Sequence, residues 1–231
     1  MKTFLPLSSL FFFLTACFNN ADVERAENND PQGLYKDFQV WAEEGREDVT
    51  VRLQFRAGGE DGDAVLMDGP GAVLLDNKPV AADSTRFTGV YYETFQPIHE
   101  FEGKHTVVFV DKAKKQQKVE FLFHPFSLAK EIPEKVRKVP FEIQLNNFPE
   151  EPTSIRLVMV DTSLFSADVN EEIIVENGKI AITAEYLDKL TKGPVMLEIY
   201  REEEKPLNGE SRHSGKLTIT YSLKREFTLI E

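Results

Sequence analysis

The chain has 231 residues, with 39 acidic side chains against 27 basic ones, a formal net charge of −12 and a single cysteine. Acidity on this scale argues against nucleic acid as a partner and against electrostatic adhesion to anionic lipid, both of which need basic patches. One cysteine excludes an internal disulfide, so the folded domains must be stable without one.

The chain opens with Lys2, an apolar run from Phe4 to Leu14 that contains Phe11, Phe12 and Phe13, and a close of small residues ending in Cys17. The apolar run is about eleven residues, against roughly twenty for a bilayer-spanning helix, and this order of parts predicts an export signal over 1–16. Leu14-Thr15-Ala16-Cys17 resembles the lipobox of bacterial lipoproteins, in which the signal is cut just before the cysteine. The resemblance covers this segment alone, and no family is recognised for the rest. It implies that the Cys17 thiol receives a diacylglycerol and that the new amino terminus is acylated, with chains of the palmitate kind. Each buried methylene contributes about 0.8 kcal/mol, so several acyl chains anchor a protein to a membrane without spanning it. Phe18 stands where Asp marks inner-membrane retention in enteric lipoproteins, so the resemblance implies the outer membrane. It leaves a periplasmic or a surface-facing orientation open.

Residues 17–36 are polar and acidic, with Asp22, Glu24, Glu27 and Asp30 ahead of Pro31 and Gly33, and predict a disordered tether behind the lipidated Cys17. Folding is expected to start near Phe38 to Ala42. Val49, Val51, Leu53 and Phe55 alternate with Thr50, Arg52, Gln54 and Arg56, the period of a strand with one wet face. After a glycine-rich acidic loop, Val73 to Val80 reads as a hairpin turning at Asp76-Asn77. Further strands are expected at Thr88–Phe95, His105–Val110 and Val119–Phe123. Short strands with turn signals between them predict a first domain, 37–124, of the immunoglobulin-like β-sandwich type, without the Cys…Trp…Cys hallmark.

Residues 125–140, rich in proline and charge, predict a linker. In the second region, 141–231, strands are expected at Phe141–Leu145, Ile155–Val160, Val195–Tyr200, Leu217–Leu223 and Phe227–Leu229. Ile173–Val175 and Ile180–Ile182 read as the clearest hairpin in the chain, because Asn177-Gly178 between them suits a type I′ turn. Thr183 is placed to cap a short helix over Ala184–Leu190. The fold class expected is therefore all-β, with two tandem immunoglobulin-like sandwich domains following the signal and tether.

The chain carries no legible catalytic constellation. His99, His105, His124 and His213 form no H-E-x-x-H pattern and no i, i+4 pair, which gives a helix-borne zinc site no support. His105 and His124, at strand ends, read as surface or partly packed residues. Gly209-Glu210-Ser211-Arg212-His213 lacks the closing glycine of a nucleophile elbow and reads as a polar hairpin loop. Glu60, Asp61, Asp63 and Asp68 gather oxygens of the kind calcium takes, but their spacing departs from a calcium loop. Trp41, Tyr91 and Tyr92, with Phe95, are the candidates for an aromatic ligand-binding patch; adjacent Tyr91 and Tyr92 must face opposite sides of a strand.

These readings converge on a non-enzymatic lipoprotein of the cell envelope, without cofactor, held to the membrane through its N-terminal lipid. It would bind or brace an envelope or extracellular protein through open strand edges. The alternative is capture of a glycan or peptide by the aromatic residues and the sandwich-end loops.

Overall fold

Polar–apolar alternation runs through almost the whole of the folded chain, and the computed structural model turns it into strands. The structure describes residues 34–67, 69, 72–110, 116–164, 166–207 and 215–231. The export signal, Cys17 and most of the expected tether lie outside the described residues, as does the Ser211/His213 loop. In the first half the strands are β1 (Tyr35–Glu43), β2 (Asp48–Ala57), β3 (Asp63–Ala64), β4 (Val73–Leu75), β5 (Lys78–Pro79), β6 (Ala82–Thr85), β7 (Gly89–Pro97), β8 (Gly103–Val110) and β9 (Gln116–Phe123). They are followed by β10 (Ser127–Leu128), β11 (Lys135–Arg137), β12 (Phe141–Asn146), β13 (Thr153–Asp161), β14 (Val169–Val175), β15 (Lys179–Ile182), the helix α1 (Ala184–Lys189), β16 (Gly193–Pro206) and β17 (Gly215–Ile230). The all-β, sandwich-type fold expected from the sequence is what forms.

One large sheet runs through both halves in the order β14-β13-β16-β17-β1-β2-β7-β6, with β11 added beside β17 and β3 beside β2. Two smaller sheets, β5-β4-β8-β9 and β10-β12-β15, accompany it. The inward residues of the first half meet as edge-to-face aromatics: Phe55 lies 5.1 Å from Phe109, 5.5 Å from Phe38 and 6.0 Å from Tyr92. In the second half Ile143, Leu145, Ile180 and Ile182 join Leu157, Leu197 and Leu223 in the same continuous buried cluster. Tyr221 stands between the halves, 6.0 Å from Phe123 and 5.0 Å from Phe126, which in turn packs on Phe148. Burial, with the nearby Glu44 carboxylate adding to it, pushes the Tyr221 hydroxyl up to about 12.

Several local expectations are met by recognisable chemistry. Asp76 and Asn77 adopt φ 48° and 65°, and Asn177 and Gly178 adopt 50° and 69°, the positive values a type I′ turn requires. Thr183 caps α1 by accepting the Tyr186 amide. Other elements differ from expectation. β1 already starts at Tyr35, with Leu34 and Lys36 buried, so chain read as tether contributes to the core. The strands read at Leu217–Leu223 and Phe227–Leu229 are one continuous β17 of 16 residues, and Val195–Tyr200 grows into β16, of 14 residues. The turn at Asn177-Gly178 closes only one bridge, Glu176 to Lys179, because β14 leaves to pair with β13 and β15 to pair with β12. It forms a corner between two sheets. Residues 125–140 carry β10 and β11. His105, read as a surface or partly packed residue, is buried; Nδ1 lies 2.7 Å from the Asp76 carboxylate and Nε2 lies 2.7 Å from the Phe101 carbonyl.

β1 joins β17 in parallel from Lys36 opposite Gly215 to Glu43 opposite Ser222. The approach is close enough that a Cβ on Gly215 would stand 2.1 Å from the Lys36 carbonyl oxygen, and Gly215 also has φ 129°. Both facts require glycine there.

At the far end of β13, Asp161 ties the sheet to the α1–β16 connection. Its carboxylate accepts from the Ser163 amide at 2.7 Å, the Thr191 amide at 2.6 Å and the Thr191 hydroxyl at 2.9 Å. Burial raises the Asp161 carboxyl, but the hydrogen bonds from Thr191, Ser163 and Ser166 outweigh it and leave the group below the ordinary carboxylate value. A carboxylate lowered in the fold stabilises it fully above the unfolded value, and the contribution is lost as pH falls through the lowered value. Asp161→Asn is therefore expected to cost about 1–3 kcal/mol at neutral pH. The gap to the parent should close as pH drops below about 4, as measured by denaturant unfolding across a pH series.

Candidate functional site

The outward face of the large sheet collects the chain's candidate binding residues. Inward-pointing Phe38, Val40 and Ala42 leave Asp37, Gln39, Trp41 and Glu43 on the other side of β1. On β2 the same alternation turns Thr50, Arg52, Gln54 and Arg56 outward, and on β7 it turns out Tyr91, Glu93 and Phe95. Register then sets the rows. Trp41 lies opposite Thr50, which lies opposite Phe95; Gln39 lies opposite Arg52, which lies opposite Glu93. Thr218 and Thr220 of β17 extend these rows beside Gln39 and Trp41.

Arg52 organises the face. Its Nε donates to Glu93 at 2.8 Å, and Nη2 lies 2.7 Å from the same carboxylate oxygen. The guanidinium sits over two rings at once, 4.7 Å from the Tyr91 centroid and 5.4 Å from that of Trp41. Stacking of this kind suits the planar, weakly hydrated guanidinium. It leaves Tyr91 only 7% exposed although it points away from the core. Gln54 pins the neighbouring strand by donating to the Thr88 and Val90 carbonyls at 2.6 and 3.0 Å, while its own carbonyl accepts from Arg56 at 2.6 Å. Trp41 stays partly exposed, and Phe95 is 58% exposed.

The residues singled out by sequence are thus divided. Trp41 and Tyr91 share the outer face. Tyr92 points into the core, where its hydroxyl accepts the Met67 amide at 2.8 Å. Glu60 pairs with Lys216 at 3.1 Å, and that hydrogen bond draws its carboxyl below the usual value. Asp61 and Asp63 are exposed, and Asp68 lies outside the described residues. Among the described residues no three His, Cys, Asp or Glu side chains gather as a metal site. Among the same residues no helix is long and apolar enough to cross a membrane. Arg52 and Glu93 were missed as a site because they are 41 residues apart in sequence. Their opposite charges become informative only when β2 and β7 are known to be neighbours.

No family model matches the chain, and no curated protein matches it in sequence. Solved structures give likenesses. The SGBP-B protein of the Bacteroides ovatus mixed-linkage glucan utilization locus, in complex with a mixed-linkage heptasaccharide, is 16% identical over 83% of this chain, with a TM-score of 0.24. The match spans only 45% of that protein, so this chain corresponds to less than half of its length. Dpr11 IG1 bound to DIP-gamma matches 82% of this chain and 97% of its own at 8% identity and a TM-score of 0.23. DIP-gamma IG1+IG2 matches 85% of this chain and 98% of its own at 9% identity and a TM-score of 0.22.

Removing the guanidinium should uncover the rings. In Arg52→Ala, Trp41, the only tryptophan of the chain, is expected to emit at longer wavelength and to be quenched more by acrylamide. The stability loss should stay near 1 kcal/mol, as for a cation–π contact at a partly exposed site.

Proposed function

We propose that this protein is a non-enzymatic, lipid-anchored module of the bacterial envelope that captures a glycan on the outer face of its large sheet. The observation that carries this reading is Phe95, a large ring 58% exposed near the end of β7, on the same face and in the same row as Trp41. Two strand spacings separate them, about 10 Å. Such a pair offers two apolar platforms to the C–H faces of successive sugars. Between and beside them Gln39, Thr50, Arg52, Glu93, Thr218 and Thr220 supply donors and acceptors for hydroxyl groups.

Trp41 makes the test direct. A glycan that binds should shift its emission, and Trp41→Ala or Phe95→Ala should weaken binding about tenfold, since ring stacking contributes roughly 0.5–1.5 kcal/mol beyond area burial. A glycan panel that leaves Trp41 emission unmoved, with no binding by affinity electrophoresis, would remove this reading.

A second reading, binding or bracing of an envelope protein, is favoured by the outer edge of the large sheet. Among the described residues β14 pairs with β13 alone, and its Ile174 is 63% exposed. An unpaired edge carrying an apolar side chain is a template for an added strand. Anchoring is tested separately: Cys17→Ser is expected to move the protein from the membrane fraction to the soluble fraction, followed by immunoblotting after detergent-free lysis.

A further inference from the structure

A groove of about 440 Å³ opens in the second half of the molecule, well within the range of small-molecule sites. It lies between β11, which among the described residues pairs with β17 alone, and β12, which is flanked by β10 and β15. Its apolar lining comes from Ile132, Pro133, Val136, Val139, Phe141 and Ile143. Val136 and Ile143 are part of the buried core, whereas Val139 is 55% exposed to the opening. Most of the lining falls within 125–140, the stretch whose sequence predicts a linker, and β12 supplies the rest.

Charge at this groove runs against the rest of the chain. The protein carries a net −12, yet Lys130, Lys135 and Arg137 line the groove, all exposed. Among the described residues no carboxylate lies within ion-pair reach of any of the three. The two acids that also line it are engaged elsewhere. Glu131 accepts from Arg225 at 2.6 and 2.9 Å, and Glu142 lies 3.8 Å from Lys179. An apolar trough bordered by three cations that have no ion-pair partner among the described residues is complementary to an anionic amphiphile.

We propose that this groove binds a small anionic amphiphile, with its apolar body on the Val136–Phe141 lining and its carboxylate, sulfate or phosphate head among Lys130, Lys135 and Arg137. The site is independent of the aromatic face, and neither depends on the other.

The test uses the full chain carrying Cys17→Ser, so that no acyl chain of its own competes, and titrates it calorimetrically in detergent-free buffer with dodecanoate and with dodecyltrimethylammonium, both kept monomeric. Dodecanoate is expected to bind one to one, and the cationic amphiphile at least tenfold more weakly. The double variant Lys135→Glu/Arg137→Glu and, separately, Val139→Asp should each weaken dodecanoate binding tenfold or more. All three positions are exposed, so melting temperatures should stay near that of the parent chain. Equal affinity for the two amphiphiles, dodecanoate affinity unchanged in both variants, or no binding of monomeric dodecanoate would each overturn the proposal. Binding to dodecanoate-containing vesicles without binding of the monomer would overturn it in favour of contact with a lipid surface.

Discussion

The β16–β17 ladder is the constraint on which the rest of the molecule depends. It pairs residues without interruption from Gly193 opposite Leu229 to Pro206 opposite Lys216. Every other strand of the large sheet is placed relative to it: β13 and β14 beyond β16, β1, β2, β7 and β6 beyond β17 with β3 beside β2, and β11 alongside the end of β17. Backbone groups in the middle of a sheet need partners on both sides. β17 finds them by having β1 as neighbour along its first half and β11 along its last residues. One strand therefore serves two sandwich-like halves, and the same buried cluster runs through both.

Side chains reinforce this crossing where the apolar pattern lapses. Lys224-Arg225-Glu226 interrupts the alternation of β17, yet the strand continues. Arg225 lies 2.6 Å from Glu44 of the β1–β2 turn and is bidentate to Glu131 of the β10–β11 connection. Hydrogen bonds to Glu131 and Glu44 hold the Arg225 guanidinium above its ordinary value, and the hydrogen bond from Arg225 in turn draws Glu131 below its own. Lys224 meets Glu43 at 2.7 Å and Glu198 at 3.6 Å. Bidentate arginine pairs add orientation as well as energy. Here the orientation joins three segments distant in sequence. The same pairing engages Glu131 at the groove, where Lys130, Lys135 and Arg137 have no ion-pair partner among the described residues.

Local chemistry was legible in the sequence, and long-range pairing was not. Alternation around Val51 and Leu53, the turn residues Asp76-Asn77 and Asn177-Gly178, and the Thr183 cap each carry their own physical signature within a few residues. The partners of a strand do not. Nothing near Asn177-Gly178 reveals that its arms enter different sheets, and nothing near Lys224 reveals that a charged triplet remains in a strand. The face followed the same division. That Tyr91 and Tyr92 point oppositely follows from the pleat alone. That Arg52 covers Tyr91 and Trp41 while bonded to Glu93 required the register of three strands. The groove was hidden for a further reason: it is built by a stretch whose prolines and charges signal a connector, and its shape arises only from where β17 and β12 carry that connector.

The parallel pairing of β1 with β17 has a mechanical meaning. Tyr35 opens β1 at one end of this pair, and Ile230 closes β17 beyond the other. Tension between those two residues pulls the strands past each other along their length, so the bonds from Lys36–Gly215 to Glu43–Ser222 are loaded together in shear rather than peeled one at a time. A sheet loaded in this way yields only when the ladder slips as a unit. Under load along that axis, the outer face with Trp41 and Phe95 keeps its spacing until the ladder itself fails.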